Sequence, residues 1–197
     1  MKENLERFRL AVGAIDAANG EDPNREWHQG KEYPKELLYA ERMTGWLDRL
    51  APEASEEVRL AARAQHIRRW EIPRESYPKD RQGYRQWRTD LGRFHAETAS
   101  AILREAGYGQ DMIAHVQALL RKERLKTDPD CQLLEDVICL VFLEHYLADF
   151  AQEQDESKLV DILRRTWRKM SPRGRQAALA LKLPEPLRRV VEKAVAA

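Results

Sequence analysis

Residues 128–151, DPDCQLLEDVICLVFLEHYLADFA, decide the fold of this chain. Asp128 followed by Pro129 reads as a helix cap and a first helical residue, because an aspartate accepts bonds from the open N–H groups and proline needs none. From Leu133 to Phe150 the apolar residues recur on nearly every side of a helical wheel. Such a segment is predicted to be a central core helix, with other helices packed around it. Its polar exceptions near the start are Gln132, Glu135 and Asp136, and Asp136 lies on one line with Gln132 and Cys139. A buried carboxylate needs a cation, an arginine or a metal beside it. The plainest such partner is Arg68 or Arg69.

Outward from this helix, almost every segment has helical spacing, and no alternating strand is visible. Helices are expected over about 4–18, 34–50, 55–72, 81–106, 110–124, 129–151, 156–170, 172–182 and 185–195. Ser55 with Glu56 and Glu57 is a capped start, Gly107 a normal stop, and Ser171 with Pro172 another start. The stretch GEDPNREWHQGKEY, residues 20–33, reads as a polar loop. The expectation is a single all-α domain over 1–197, irregular because helix and loop lengths differ, with a core over 34–150 and a helical extension over 155–197.

Two histidines stand where these helices want apolar residues. His95 shares a stripe with Leu91, Ala99, Ile102 and Ala106, so it faces inward, as a core histidine bonded to a carbonyl or as a site residue. His66 ends the alanine-rich run VRLAARAQHIRRWE, where small side chains leave room for a neighbour or a ligand; a bond to terminal carbonyls is the plain alternative. Together with Asp136 these residues predict one shared polar pocket.

The chain has 197 residues, 43% hydrophobic and 34% charged, with a net charge of +1. That balance excludes a global electrostatic attraction to nucleic acid or membrane. No signal-peptide pattern or transmembrane run is present, so a soluble cytoplasmic protein is expected. Cys131 and Cys139, eight residues apart on one helix, are about 12 Å apart and too distant for a disulfide. P-loop, GxGxxG, HExxH and CxxC motifs are absent.

In its order of features the chain resembles the HD superfamily of helical metal-dependent phosphohydrolases. VRLAARAQHIRRWE occupies the His-Asp region, FHAETASAILREAGYGQDMIAHVQALLRKE looks like the following helix pair, and DPDCQLLEDVICLVF looks like the segment carrying the last aspartate, here Asp136. Gln65 and His66 stand in place of the His-Asp pair, and no histidine lies between Glu36 and Glu41. The motifs PKELLYAERM, HIRRWEIPR, RKERLK, LEDVICLVFLEHY and TWRKMSPRG also make the chain similar to an uncharacterised family of small bacterial and fungal proteins.

The resemblance implies hydrolysis of a nucleotide or other phosphorylated small molecule, with His66, His95 and Asp136 catalytic. A divalent metal such as magnesium or manganese would sit on His66, Asp136 and Glu41. The alternative is a non-catalytic binding protein that takes a phosphorylated ligand on Arg68, Arg69 and Lys122 together with the histidines. A third reading is an RNA-binding or protein-interaction module. LRRTWRKMSPRGRQ and RRWEIPRESYPKDRQGYRQWR interleave cations with Trp167, Trp70, Tyr77, Tyr84 and Trp87, the combination that stacks on single strands. Solvated helix faces with core tryptophans explain the same pattern.

Overall fold

Ser55, Asp80, Asp128, Asp155 and Ser171 each accept a hydrogen bond from a backbone N–H two or three residues ahead, and each begins a helix. The computed structural model describes residues 2–125 and 127–195, and those residues are predominantly helical. The chain divides into two compact units, Met1–Thr127 and Asp128–Ala197. The expected core span 34–150 includes parts of both.

The first unit holds α1 (Lys2–Gly20), a hairpin of β1 (Arg25–His28) and β2 (Lys31–Pro34), α2 (Lys35–Leu50), α3 (Glu56–Arg63), α4 (Arg81–Glu105) and α5 (Gln110–Arg121). The short α3 is its hub: Val58, Leu60, Ala61 and Ala62 are wholly buried, and α1, α2 and α5 all pack against it. Its alanines let those neighbours approach closely. Each fully buried large aliphatic side chain around it, such as Leu47, Leu60 or Ile67, contributes about 2 kcal/mol.

Two features of this unit depart from the sequence expectation. The first is the hairpin, in which Trp27 pairs with Glu32 and His28 with Lys31. Gln29 and Gly30 both have positive φ, as the tight type I′ connection demands. Its strands bury no side chain fully and leave Trp27 72% exposed, so no apolar alternation marks them. The second is the early end of α3 at Arg63. The chain continues through turns to a 3-10 segment at Arg69–Glu71. Arg68 takes a left-handed conformation there, with its N–H held by Oδ1 of the buried Asn19 of α1. This break leaves the Ile67 carbonyl open to a side chain from α4.

At the start of α4, Gly83 donates its N–H to the Asp80 carboxylate and lies against the Pro78 carbonyl. A Cβ at position 83 would run into that backbone oxygen. Gly83→Ala is therefore expected to lower stability by on the order of 2 kcal/mol in urea unfolding, since backbone must move to admit the methyl. Unchanged stability would show that the 73–80 loop yields freely.

The second unit holds α6 (Pro129–Val141), a wider π-type turn over Phe142–Tyr146, α7 (Leu147–Gln152), α8 (Glu156–Lys169), α9 (Pro172–Leu179) and α10 (Glu185–Val195). The expected 129–151 helix is thus one run with a π-type turn in it. The additional residue in that turn rotates α7 about the helix axis, and Phe142 meets Phe150 edge to face. Leu134, Val137, Leu140 and Val141 are buried, with α8 and α9 against α6. Cys131 and Cys139 are buried thiols not joined in a disulfide. Among the described residues no helix is long and apolar enough to cross a membrane.

Candidate functional site

The turn at 64–68 and the middle of α4 bring His66 and His95 together, with ring centroids 6.0 Å apart. His95 Nδ1 lies 2.8 Å from the Ile67 carbonyl oxygen, which can only accept, so the proton sits on Nδ1 and Nε2 presents a lone pair. That Nε2 is buried and has no hydrogen-bond partner among the described residues. Burial pushes the His95 imidazole down to about 3, with the neighbouring His66 lowering it further against the opposing pull of the Ile67 carbonyl and Glu36.

His66 is held on two sides. Its Nδ1 meets Glu36 Oε2 at 3.1 Å, and the Tyr39 ring stacks on it at 3.8 Å between centroids. Burial holds the His66 imidazole well below its usual value, and Arg69, Arg88, Lys122 and Lys35 add to this. Glu36 is raised by its own burial, which outweighs the opposing charges of Arg69, at 3.8 Å, and Lys35. With Glu36 ionised, His66 donates from Nδ1 and shows a bare Nε2. A carboxylate behind an imidazole in this way sets its tautomer and steadies the proton it picks up.

Glu36 is not among the site residues expected from the sequence, although the helix pattern contains it. It shares a face of α2 with the buried Tyr39, Ala40 and Met43, at helical spacings of three, four and seven. Its position at the start of α2 is secured by the buried Asp22, whose Oδ2 accepts the Glu36 N–H at 2.9 Å. Glu41, the expected carboxylate ligand, is exposed on a different face of that helix. The carboxylate that reaches His66 is therefore the one more than a turn earlier.

Both histidines line a cavity of about 490 Å³, together with Gln65, Arg88, Arg121 and Lys122. Arg93 and Glu123 also border it, so cations outnumber acids on its wall. Lys122 stands in the left-handed position that ends α5, and Gly92 of α4 lets that helix end come within 3.6 Å of where a Cβ would lie. Arg68 and Arg69, expected to hold phosphate, have other partners. Arg68 pairs with Glu71 and Glu21, while Arg69 pairs with Glu36 and lies over the Trp87 ring.

Asp136 belongs to the second unit and is fully engaged there. Its oxygens accept the Ser171 N–H at 2.8 Å, the Ser171 hydroxyl, and the Gln132 amide at 3.1 Å. Ser171 in turn caps α9 through Gly174 N. These bonds make Asp136 the anchor of the α8–α9 junction. Neither Arg68 nor Arg69 is needed to explain its burial.

Among the described residues a histidine and two aspartates could hold a metal ion, but that group does not include His66, Glu41 or Asp136. Among the first unit's own described residues, no three donor atoms from histidine, cysteine, aspartate or glutamate lie within 4.8 Å of one another. Structural zinc and calcium sites gather at least such a set, whereas magnesium is commonly held by one or two carboxylates together with substrate phosphates. Several members of the basic and aromatic stretches have partners within the fold. Trp87 is buried with its indole N–H on the Ile72 carbonyl, Tyr77 donates to Asp90, and Arg175 covers Trp167. Tyr84 is half exposed.

No curated protein and no solved structure matches the chain. One family model does, over residues 9–191, a span that takes in both units. On that match the chain belongs to the family described as a domain of unknown function, DUF4202.

Proposed function

We propose that the first unit binds a phosphorylated small molecule in the His66–His95 cavity and hydrolyses its phosphate ester or anhydride, with His66 as the proton acceptor. The observation that carries this reading is the buried Glu36–His66 pair at the wall of a cavity bordered by Arg88, Arg121 and Lys122. Guanidinium and ammonium groups suit phosphate oxygens, and they offset charge that builds on phosphorus during attack. A water molecule gives its proton to His66 Nε2 as its oxygen bonds to phosphorus. The bond to the leaving oxygen then breaks, and that oxygen takes the proton back. Glu36 steadies the imidazolium in between. The likeness to HD phosphohydrolases supports phosphate as the substrate chemistry, and the Glu36–His66 pair supports a route through side chains.

A panel of nucleotides and phosphomonoesters, assayed with and without EDTA, tests this. His66→Ala is expected to lower turnover by roughly a hundredfold or more, the usual worth of a positioned acid–base group. Arg88→Ala is expected to weaken ligand binding about tenfold, as loss of one charge-assisted bond does. EDTA is expected to change neither. Turnover that survives His66→Ala removes the catalytic assignment. A compound that protects the protein against heating without being turned over reduces the pocket to a binding site, and failure of every phosphate compound to bind removes the whole reading.

A further inference from the structure

We infer that the phosphorylated ligand carries hydroxyl groups beside its phosphate, and that Gln65 Oε1 and His95 Nε2 accept hydrogen bonds from them. This deepens the proposed function and rests on the cavity being a phosphate site. Two residues that carry such acceptors line the same cavity, Gln65 from the turn after α3 and His95 from the middle of α4. These residues are only 4% and 3% exposed, and both atoms lack a hydrogen-bond partner among the described residues. Buried polar groups in native proteins are almost always satisfied, and a pair left open on residues of one cavity wall marks where a ligand supplies the missing half. His95 has its single proton committed to Ile67, so its Nε2 can only accept. Phosphate oxygens are acceptors too, so neither atom as placed finds its donor there. The cations Arg88 and Lys122 on the same cavity suit the phosphate, which leaves Gln65 and His95 for donors on the rest of the molecule. A phosphorylated polyol or sugar, free or as part of a nucleotide, presents hydroxyl donors close to a phosphate.

Calorimetry on the full chain with ethyl phosphate, ribose 5-phosphate and adenosine 5′-monophosphate tests the inference. At least one hydroxylated phosphate is expected to bind about tenfold tighter than ethyl phosphate, the worth of a satisfied buried acceptor. Tighter binding of the sugar phosphate identifies a free sugar as the source of the hydroxyls, and tighter binding of the monophosphate identifies the nucleotide ribose. Gln65→Met, which keeps the volume and removes the acceptor, is expected to cut that preference by about threefold or more. His95→Gln, which retains an acceptor, is expected to keep more of it than His95→Phe. Ethyl phosphate binding as tightly as both hydroxylated compounds overturns the inference and leaves the phosphate site standing. So does an undiminished preference in Gln65→Met and His95→Phe. Absence of binding by all three compounds overturns both.

Discussion

Lowering the pH from 6.5 to 4 is expected to destabilise the first unit by roughly 3 kcal/mol through His95 alone, at about 1.4 kcal/mol for each pH unit. In the unfolded chain this imidazole takes up its proton near 6.5, whereas burial holds it down to about 3 in the folded unit. Between those values the unfolded state carries the additional proton, so stability is fully present above 6.5 and drains away as the pH falls. His66, also depressed by burial and by Arg69, pulls in the same direction. Glu36 pulls the other way just above pH 4.5, because its carboxyl is raised and its folded form keeps a proton longer. Urea unfolding at several pH values measures the slope, and His95→Gln isolates the contribution of the imidazole by removing its titration. A slope equal in the two proteins, or an NMR titration of His95 near 6.5, rules out a buried neutral imidazole as the source of acid sensitivity.

Asp136→Ala is expected to destabilise the second unit by about 3 kcal/mol, which makes the residue an anchor for α9 whatever else it does. The substitution strands the Ser171 N–H and hydroxyl and removes one of two acceptors from the Gln132 amide, which keeps its bond to the Lys169 carbonyl. Gly174→Ala is expected to cost on the order of 2 kcal/mol from the other side, since a Cβ there would lie 2.6 Å from the Asp136 carboxyl carbon. In the double variant the clash disappears with the carboxylate, so the two losses will not add. Unfolding curves for the three variants, with hydrogen exchange at α9, provide the measurement. Native stability in Asp136→Ala combined with lost phosphoester turnover would instead return Asp136 to the chemistry implied by the HD-like resemblance.

Parts of the site are legible in the sequence. His95 shares the stripe of Leu91 and Ala99, which requires it to be buried, and its bond to the Ile67 carbonyl is the kind a core histidine makes. The small residues before His66 leave room for a close neighbour or a ligand, and the Tyr39 ring stacks on the His66 imidazole. Glu36 carries no such signal, because a glutamate in a first turn reads equally well as a partner of the helix dipole. Glu41 lies exposed on another face of α2, since sequence order places a residue on a helix but does not say which face meets the His66 turn.

By itself the sequence determined what depends on neighbours within a turn or two. It settled the helical class, the caps at Ser55, Asp128 and Ser171, and the buried middle of α6, because each derives from local hydrogen bonding and from the 3.6-residue period. Tertiary structure alone decided the rest. Asn19 lies 49 residues from the Arg68 N–H it holds, and Glu36 lies 30 residues from His66. Those contacts accompany the early end of α3, leave the Ile67 carbonyl to His95 and bring the two histidines to one cavity. The reason is energetic: a buried polar group takes whichever partner the packing brings within about 3 Å, and packing is a property of the whole unit rather than of any segment.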